Sequence, residues 1–169
     1  GTITQSFTWI VSNPAPTAND DAYSLGEDAA STILGNAISA NDSDPDGDVL
    51  TATVQTNVAG SNGGLFSIAA NGQVSFQPNG DFEDLAVGEY RVTAISYVIT
   101  DADGASDSAS ITITVNGAND GPSTLGTIAD QADNDSAVVS LNVSGFFADA
   151  DTSDTLSYSV SGLPAGLSI

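Results

Sequence analysis

The sequence contains no cysteine, no histidine and no methionine, and its single basic residue is Arg91. Without cysteine there can be no disulfide and no thiol chemistry. Without histidine as well, zinc sites of the usual kind and imidazole acid–base catalysis are also excluded. One cation against 22 acidic residues gives a net charge of -21, which removes the positive footprint that nucleic acid or an anionic membrane surface requires. No run approaches the ~18 apolar residues of a membrane span. The first residues also lack a charged n-region followed by an apolar h-region, and the chain reads as beginning inside a larger protein. Such acidity often accompanies disorder, yet hydrophobic residues are 40% of the chain and the mean hydropathy is +0.05, enough for a core. The 169 residues allow one or two domains. Their charge must be neutralised, and bound cations are the economical means, with plain solvation the alternative.

Periodicity indicates strands throughout. Residues 1–11, GTITQSFTWIV, alternate as a strand should, with Ile3, Phe7 and Ile10 among the large apolar positions. SNPAP at 12–16 then forms a stiff linker. AYSL and STIL suggest short strands, and LTATVQ at 50–55 a further one, followed by a glycine and asparagine loop over 57–64. Residues 65–68 and 73–76 flank Asn71-Gly72, a strong hairpin signal. A long strand over 90–100 turns back through Asp101-Ala102-Asp103-Gly104 into residues 109–115, where Ile111, Ile113 and Val115 share a face. Short strands, turn signals at roughly 8–12-residue spacing and no helical period predict an all-β sandwich. NGANDGP at 116–122 is a second linker, and VVSLNV, GFFADADTSDTL and LSYSV follow. Residues 119–169 supply about half of the roughly seven strands in ~100 residues of an immunoglobulin-like sandwich. The expected architecture is therefore tandem β-sandwich modules, one complete and one incomplete. Residues 1–13 are a terminal strand of a preceding or partner module plus linker, residues 14–118 a full module, and residues 119–169 the first half of another.

The acidic residues are not evenly spread. Residues 41–48, NDSDPDGD, bring Asp42, Asp44, Asp46 and Asp48 onto one tight turn with no basic neighbour. Convergent hard oxygens are what Ca²⁺ takes, with ~6–8 ligands at about 2.3–2.6 Å. The opening D-x-D-x-D-G is the first half of the helix-loop-helix calcium pattern. Its closing glutamate is replaced by Thr53 and its flanks read as strands, so a calcium loop between strands is expected, against a solvated polar turn. Asp101 and Asp103 occupy a strand–strand turn, Asn119 and Asp120 the second linker, and Asp149, Asp151 and Asp154 a similar turn in the tail. Glu83 and Asp84 lie in FEDLAVGE, while Asp20 and Asp21, with Glu27 further on, follow the first linker.

NDSDPDGD, FEDLAVGE, YVITDADGASDSASITITV and NGANDGP resemble the bacterial cadherin-like and VCBS-type repeats of giant surface adhesins, including those of the repeats-in-toxin class. The tail, with SGFFADADTSDTLSYSVSGLPAGLSI, resembles the start of a dystroglycan-type cadherin-like, or immunoglobulin-like, module. The resemblance implies a cadherin-like calcium-binding β-sandwich on an exported bacterial cell-surface protein, without disulfides. It also implies that Glu83, Asp84, Asp101, Asp103, Asn119 and Asp120 are junction ligands, although the acidic loop lacks the arginine of animal cadherins. The expected function is a calcium-stiffened structural extender. Its partners would be neighbouring modules or other copies of itself, with host or biofilm ligands met through other domains. A calcium-dependent glycan- or peptide-binding module is the alternative. Enzyme activity is not expected, because acid–base work needs two carboxyls in a cleft with separated pKa values. Trp9 and the tyrosines are expected in the core or at its edge. Two readings of residues 1–11 stand side by side: the chain is an excerpt of a tandem array, or these residues complete the open sheet of another copy and give a head-to-tail fibre. Asn41, Asn134 and Asn142 begin glycosylation sequons that carry little weight in a bacterial protein.

Overall fold

The computed structural model describes residues 1–132, 134 and 139–162. Two four-stranded sheets hold the core between them. The first has the order β1-β8-β7-β3, formed by β1 (Asp21–Gly26), β8 (Ser106–Asn116), β7 (Tyr90–Thr100) and β3 (Thr51–Ala52). The second, β2-β6-β5-β4, consists of β2 (Thr32–Asn36), β6 (Gln73–Gln77), β5 (Leu65–Ile68) and β4 (Gln55–Ala59). All pairings are antiparallel except β1 with β8, which run side by side in the same direction from Asp21↔Ile111 to Gly26↔Asn116.

Alternation decides which side chains enter the core. Along β8, Ile111, Ile113 and Val115 are fully buried, while Ser and Thr occupy the intervening positions. Along β7, Thr93, Tyr97 and Ile99 point the same way. Phe66 and Ile68 of β5 and Val74 and Phe76 of β6 meet them from the other sheet, and Phe66 packs edge-on to Phe76 at 4.8 Å. The Asn71-Gly72 hairpin forms as the dipeptide suggests, with Gly72 at φ +82, where a Cβ would be strained.

Several expected elements differ. The strand expected over 50–55 is broken, because the chain leaves the first sheet after β3 and enters the second as β4. The loop expected over 57–64 consequently begins in strand. It contains a bulge in which Asn57 takes φ +50 and its N–H bonds Ser67 Oγ at 3.0 Å. A five-residue helix, α1 (Ala37–Asn41), precedes the acidic turn, and the side chain of Asn36 caps it by accepting from Ser39 N–H.

The ends of the chain depart furthest from expectation. Residues 1–16 form no strand, since a strand needs a partner to satisfy its backbone, and Ile3 and Trp9 are 96% and 80% exposed. Of the aromatics expected in the core or at its edge, Tyr97 is buried and Tyr23 packs against the core, whereas Trp9, Tyr90 and Tyr158 are exposed. Among the described residues of the tail, the only strands are β9 (Ser123–Thr124) and β10 (Phe147–Ala148), paired antiparallel beside a 3-10 turn at Ser144–Phe146. The strands expected at 139–143 and 156–160 are absent there. Val138, most of the Asn134 sequon and residues 163–169 lie outside the described residues.

Ile113 anchors this core. Ile113→Ala should lower unfolding free energy by about 2–5 kcal/mol, measured by urea titration in calcium. Val98→Ala, on the outer side of β7, should stay within about 0.5 kcal/mol.

Candidate metal centre

The carboxylates gather at opposite ends of the sandwich. At the end where the second linker departs, β1 delivers Glu27 and Asp28, the loop between β6 and β7 delivers Glu83, the linker delivers Asp120, and the tail turn delivers Asp149, Asp151 and Asp154. The carboxylates of Glu27, Asp120 and Asp151 bring ligand atoms within 4.8 Å of one another. The groups Asp28, Glu83 and Asp120, and Asp149, Asp151 and Asp154, do the same. Because Asp120 and Asp151 are shared between groups, the three form one continuous site.

Two members of that site are almost fully buried: Glu27 is 2% exposed and Asp151 is 1%. One oxygen of each is satisfied, since Ala118 N–H donates to Glu27 Oε1 at 2.7 Å and Asp120 N–H to Asp151 Oδ2 at 2.9 Å. The other oxygens, Glu27 Oε2 and Asp151 Oδ1, are buried and receive no hydrogen bond. A buried carboxylate oxygen with no donor is costly unless a cation meets it. The chain cannot supply that cation, for Arg91 is already bonded to Asp84 at 2.6 Å. Burial, together with the negative charges of Asp120, Asp28 and Glu83, pushes the Glu27 carboxyl above its ordinary range despite the Ala118 bond. Asp120 is raised likewise, by burial and by Asp151, Asp28 and Asp149. An all-oxygen donor set with two orphaned, buried members suits a hard divalent ion such as Ca²⁺.

The other end is organised differently. Asp44 Oδ1 accepts the N–H groups of Asp46, Gly47 and Asp48 at 3.0, 3.1 and 3.2 Å, which closes the turn. Asp44, Asp46 and Asp48 again bring ligand atoms within 4.8 Å. Asp46 is pushed up to about 6, chiefly by sharing a proton with Asp44, whose own carboxyl is lowered. Burial and the charges of Asp103, Asp44 and Asp101 raise Asp48, so the Asp101–Asp103 turn lies at this end and not with Glu83. Burial works against ionisation of Asp101, but donors outweigh it: Asn13 Nδ2 at 2.8 Å and the N–H groups of Asp103, Gly104 and Ala105 at 2.7–3.0 Å hold it low.

Other expected ligands are committed to protein contacts. Asp20 accepts both N–H and O–H of Ser110 at 2.8 Å, which lowers it. Asp21 and Asp42 converge on the Tyr97 hydroxyl, which lies 3.0–3.2 Å from Asp21 Oδ2, both Asp42 oxygens and the carbonyl of Asn19. A phenol has one proton to donate, and burial pushes Asp21 up in spite of it. Asp84 is bonded by Arg91 and lowered by it, while its carbonyl accepts Thr152 Oγ1 at 3.3 Å. Asn119 Nδ2 donates to the Asp120 carbonyl at 2.7 Å. Asp28 was not singled out as a ligand from the sequence, nor was Tyr97 as a contact for Asp21 and Asp42. Asp28 adjoins Glu27 in sequence, whereas Tyr97 looks like any inward aromatic of a strand.

A sandwich that gathers carboxylates at both ends, one of them shared with the segment that follows, defines a class of extracellular adhesion and structural modules. The chain belongs to the bacterial cadherin-like domain family, whose model matches residues 13–117. Domains of this kind are generally non-enzymatic and typically bind calcium. Similar solved structures include human mucin-like protocadherin EC1-2, at 17% identity over 62% of this chain and 53% of that one with a TM-score of 0.43. Mouse protocadherin-24 EC1-3 is 18% identical over 62% and 33%, TM-score 0.37. A nucleoside hydrolase-related hypothetical protein from Saccharophagus degradans that is associated with carbohydrate metabolism is 20% identical over 62% and 26%, TM-score 0.35. The chain thus spans about half the length of the first of these and less of the other two. No curated protein matches it. No helix among the described residues is long and apolar enough to cross a membrane.

The shifts set a pH dependence for the metal-free protein. Asp21, Glu27, Asp46, Asp48 and Asp120 are raised, so the folded state holds their protons more tightly than the unfolded chain, where an aspartate titrates near 3.9. The stability they lend is present at low pH and lost as pH rises towards about 6, the value for Asp46. Asp20, Asp44, Asp84, Asp101 and Asp107 are lowered, and their contribution is lost as pH falls through about 4 and below. In chelator the melting temperature should therefore decline between about pH 4.5 and 6.5. In calcium the slope should reverse, because binding needs the ionised carboxylates. Scanning calorimetry across pH distinguishes the two.

Proposed function

We propose that the chain is a calcium-stiffened extender segment of an exported bacterial adhesin or surface fibre, of the VCBS and repeats-in-toxin kind. On this reading residues 14–118 are one cadherin-like module and residues 119–169 the first half of another, of dystroglycan type. Residues 1–13 then bring a strand of a preceding or partner module and its linker. One observation carries the proposal: Glu27 Oε2 and Asp151 Oδ1 are buried without a donor, in a cluster drawn from the sandwich, the linker and the tail. Ions held there by the groups Glu27, Asp120 and Asp151; Asp28, Glu83 and Asp120; and Asp149, Asp151 and Asp154 would join three segments that otherwise repel one another. A further ion, held by Asp44, Asp46 and Asp48 beside Asp101 and Asp103, would serve the opposite end. Calcium supplies a positive charge with long, adaptable oxygen contacts. The protein supplies the rest: backbone donors that aim each carboxylate, and Asp120 and Asp151 on either side of the junction.

Binding to the folded state alone stabilises it by about 2.7 kcal/mol per ion at a hundredfold excess over Kd. Calcium should therefore raise the melting temperature by many degrees, reversibly with chelator. Glu27→Gln should act with opposite signs in the two conditions. It removes a ligand in calcium and lowers the melting temperature, but relieves repulsion in chelator and raises it. A fall in both, or no response to calcium in the parent chain, would exclude the proposal.

A further inference from the structure

Among the described residues, the first eleven and the segment at β9 each present an unpaired strand edge. In residues 2–11 the odd positions are Ile3, Gln5, Phe7, Trp9 and Val11, and the even ones Thr2, Thr4, Ser6, Thr8 and Ile10. Strand β8 has the same pattern. Its odd positions end in Ile111, Ile113 and Val115, all buried, its even ones are Ser106, Ser108, Ser110, Thr112 and Thr114, and an Asn-containing linker follows. In β8 that inward face fills the core between the sheets. In residues 2–11 it is exposed, and nothing among the described residues pairs with it.

The acceptor lies in the tail. β8 stands parallel to β1, the first strand after a linker. β9 holds the same place after the second linker, yet among the described residues it pairs only with β10. Beside it is an open cavity of about 320 Å³ lined by Pro122, Thr124, Phe147, Leu156, Ser157, Tyr158 and Ser159. Leu125, Ile128 and Val160 nearby in sequence are 66%, 40% and 48% exposed. We propose that residues 2–11 of a second copy dock here as an added strand, parallel to the segment beginning at β9, with Phe7 and Trp9 turned into the cavity.

Charge and geometry both select a second copy. Two chains of net charge -21 repel, but residues 1–19 carry no acidic or basic side chain and neither does the cavity lining. The contact therefore brings no carboxylates together. A chain cannot fill its own groove. Asn13 is bonded to Asp101 at the end of the sandwich opposite Asp120, and the eleven residues of β8 that span the two ends measure about 36 Å. Parallel docking places Val11 at or beyond the far end, whereas two residues reach only about 7 Å from Asn13. Such a contact is heterologous and does not close on itself, so copies add head to tail. This inference stands independently of the calcium reading.

The test is sedimentation velocity of the whole chain in saturating calcium over a wide concentration range, with emission from Trp9, the sole tryptophan. Mass should rise with concentration, and the Trp9 emission should shift to the blue in step. Phe7→Asp, which spoils the donor, and Leu156→Asp, which spoils the acceptor, should each remain monomeric. Mixed together, they should form a dimer and nothing larger, from the intact groove of one and the intact strand of the other. Thr8→Asp, on the opposite face, should assemble like the parent. A chain that stays monomeric throughout, a blue shift without a change in mass, assembly that survives Phe7→Asp, loss of assembly in Thr8→Asp, or failure of the mixture to pair would each overturn the proposal.

Discussion

Like-charge repulsion is the constraint that the rest of this structure answers. A chain with 22 carboxylates and one guanidinium must fold so that its acids are either spread in solvent or met by donors. Backbone N–H groups do most of this. Three converge on Asp44, three more on Asp101, and single ones reach Asp42, Asp107 and Glu27. The Ser110 and Tyr97 hydroxyls extend the supply. The guanidinium of Arg91 is spent on Asp84, where it also bonds the Asp81 carbonyl and lies 5.6 Å from the Phe82 ring centroid. Donors run out at Glu27 Oε2, Asp151 Oδ1 and Asp44 Oδ2, and those three buried oxygens mark where an outside cation has most to offer.

The two ends of the sandwich are consequently unlike. The end holding Asp44 and Asp101 draws its order from its own turns and from Asn13, with Asp44 Oδ2 left buried and without a donor. The end holding Glu27 is completed only by the tail, through Asp120 N–H on Asp151 and Thr152 on Asp84. One is a braced turn and the other a junction. A cation bound at the junction would take ligands from a segment beyond the sandwich, so that its binding and the order of that segment would be thermodynamically linked.

The strands that read most clearly in the sequence were those whose pattern is local. Alternation along β7 and β8, the Asn71-Gly72 turn and the acidic turns need only near neighbours in the chain, and each formed where expected. Features set by partners far away were hidden. The run over 50–55 is one apolar pattern, but the fold divides it between two sheets. Residues 2–11 alternate as well as β8 does, yet lack the neighbours that make β8 a strand. In the site, composition identified acids at turns but not their allegiance. The resemblance to cadherin-like arrays groups Asp101 and Asp103 with Glu83, whereas the eleven-residue β7 carries them to opposite ends. No rule of spacing indicates that Asp21 and Asp42, twenty-one positions apart, meet at Tyr97.

The parallel pairing of β1 with β8 has a mechanical consequence. These strands begin and end the sandwich and lie side by side over six residue pairs. Tension applied through the two linkers pulls them past each other along their length. All of the bonds between them then bear the load together and must fail together, whereas a hairpin pulled from its open end loses its bonds one at a time. A module connected in this way is built to be hung from.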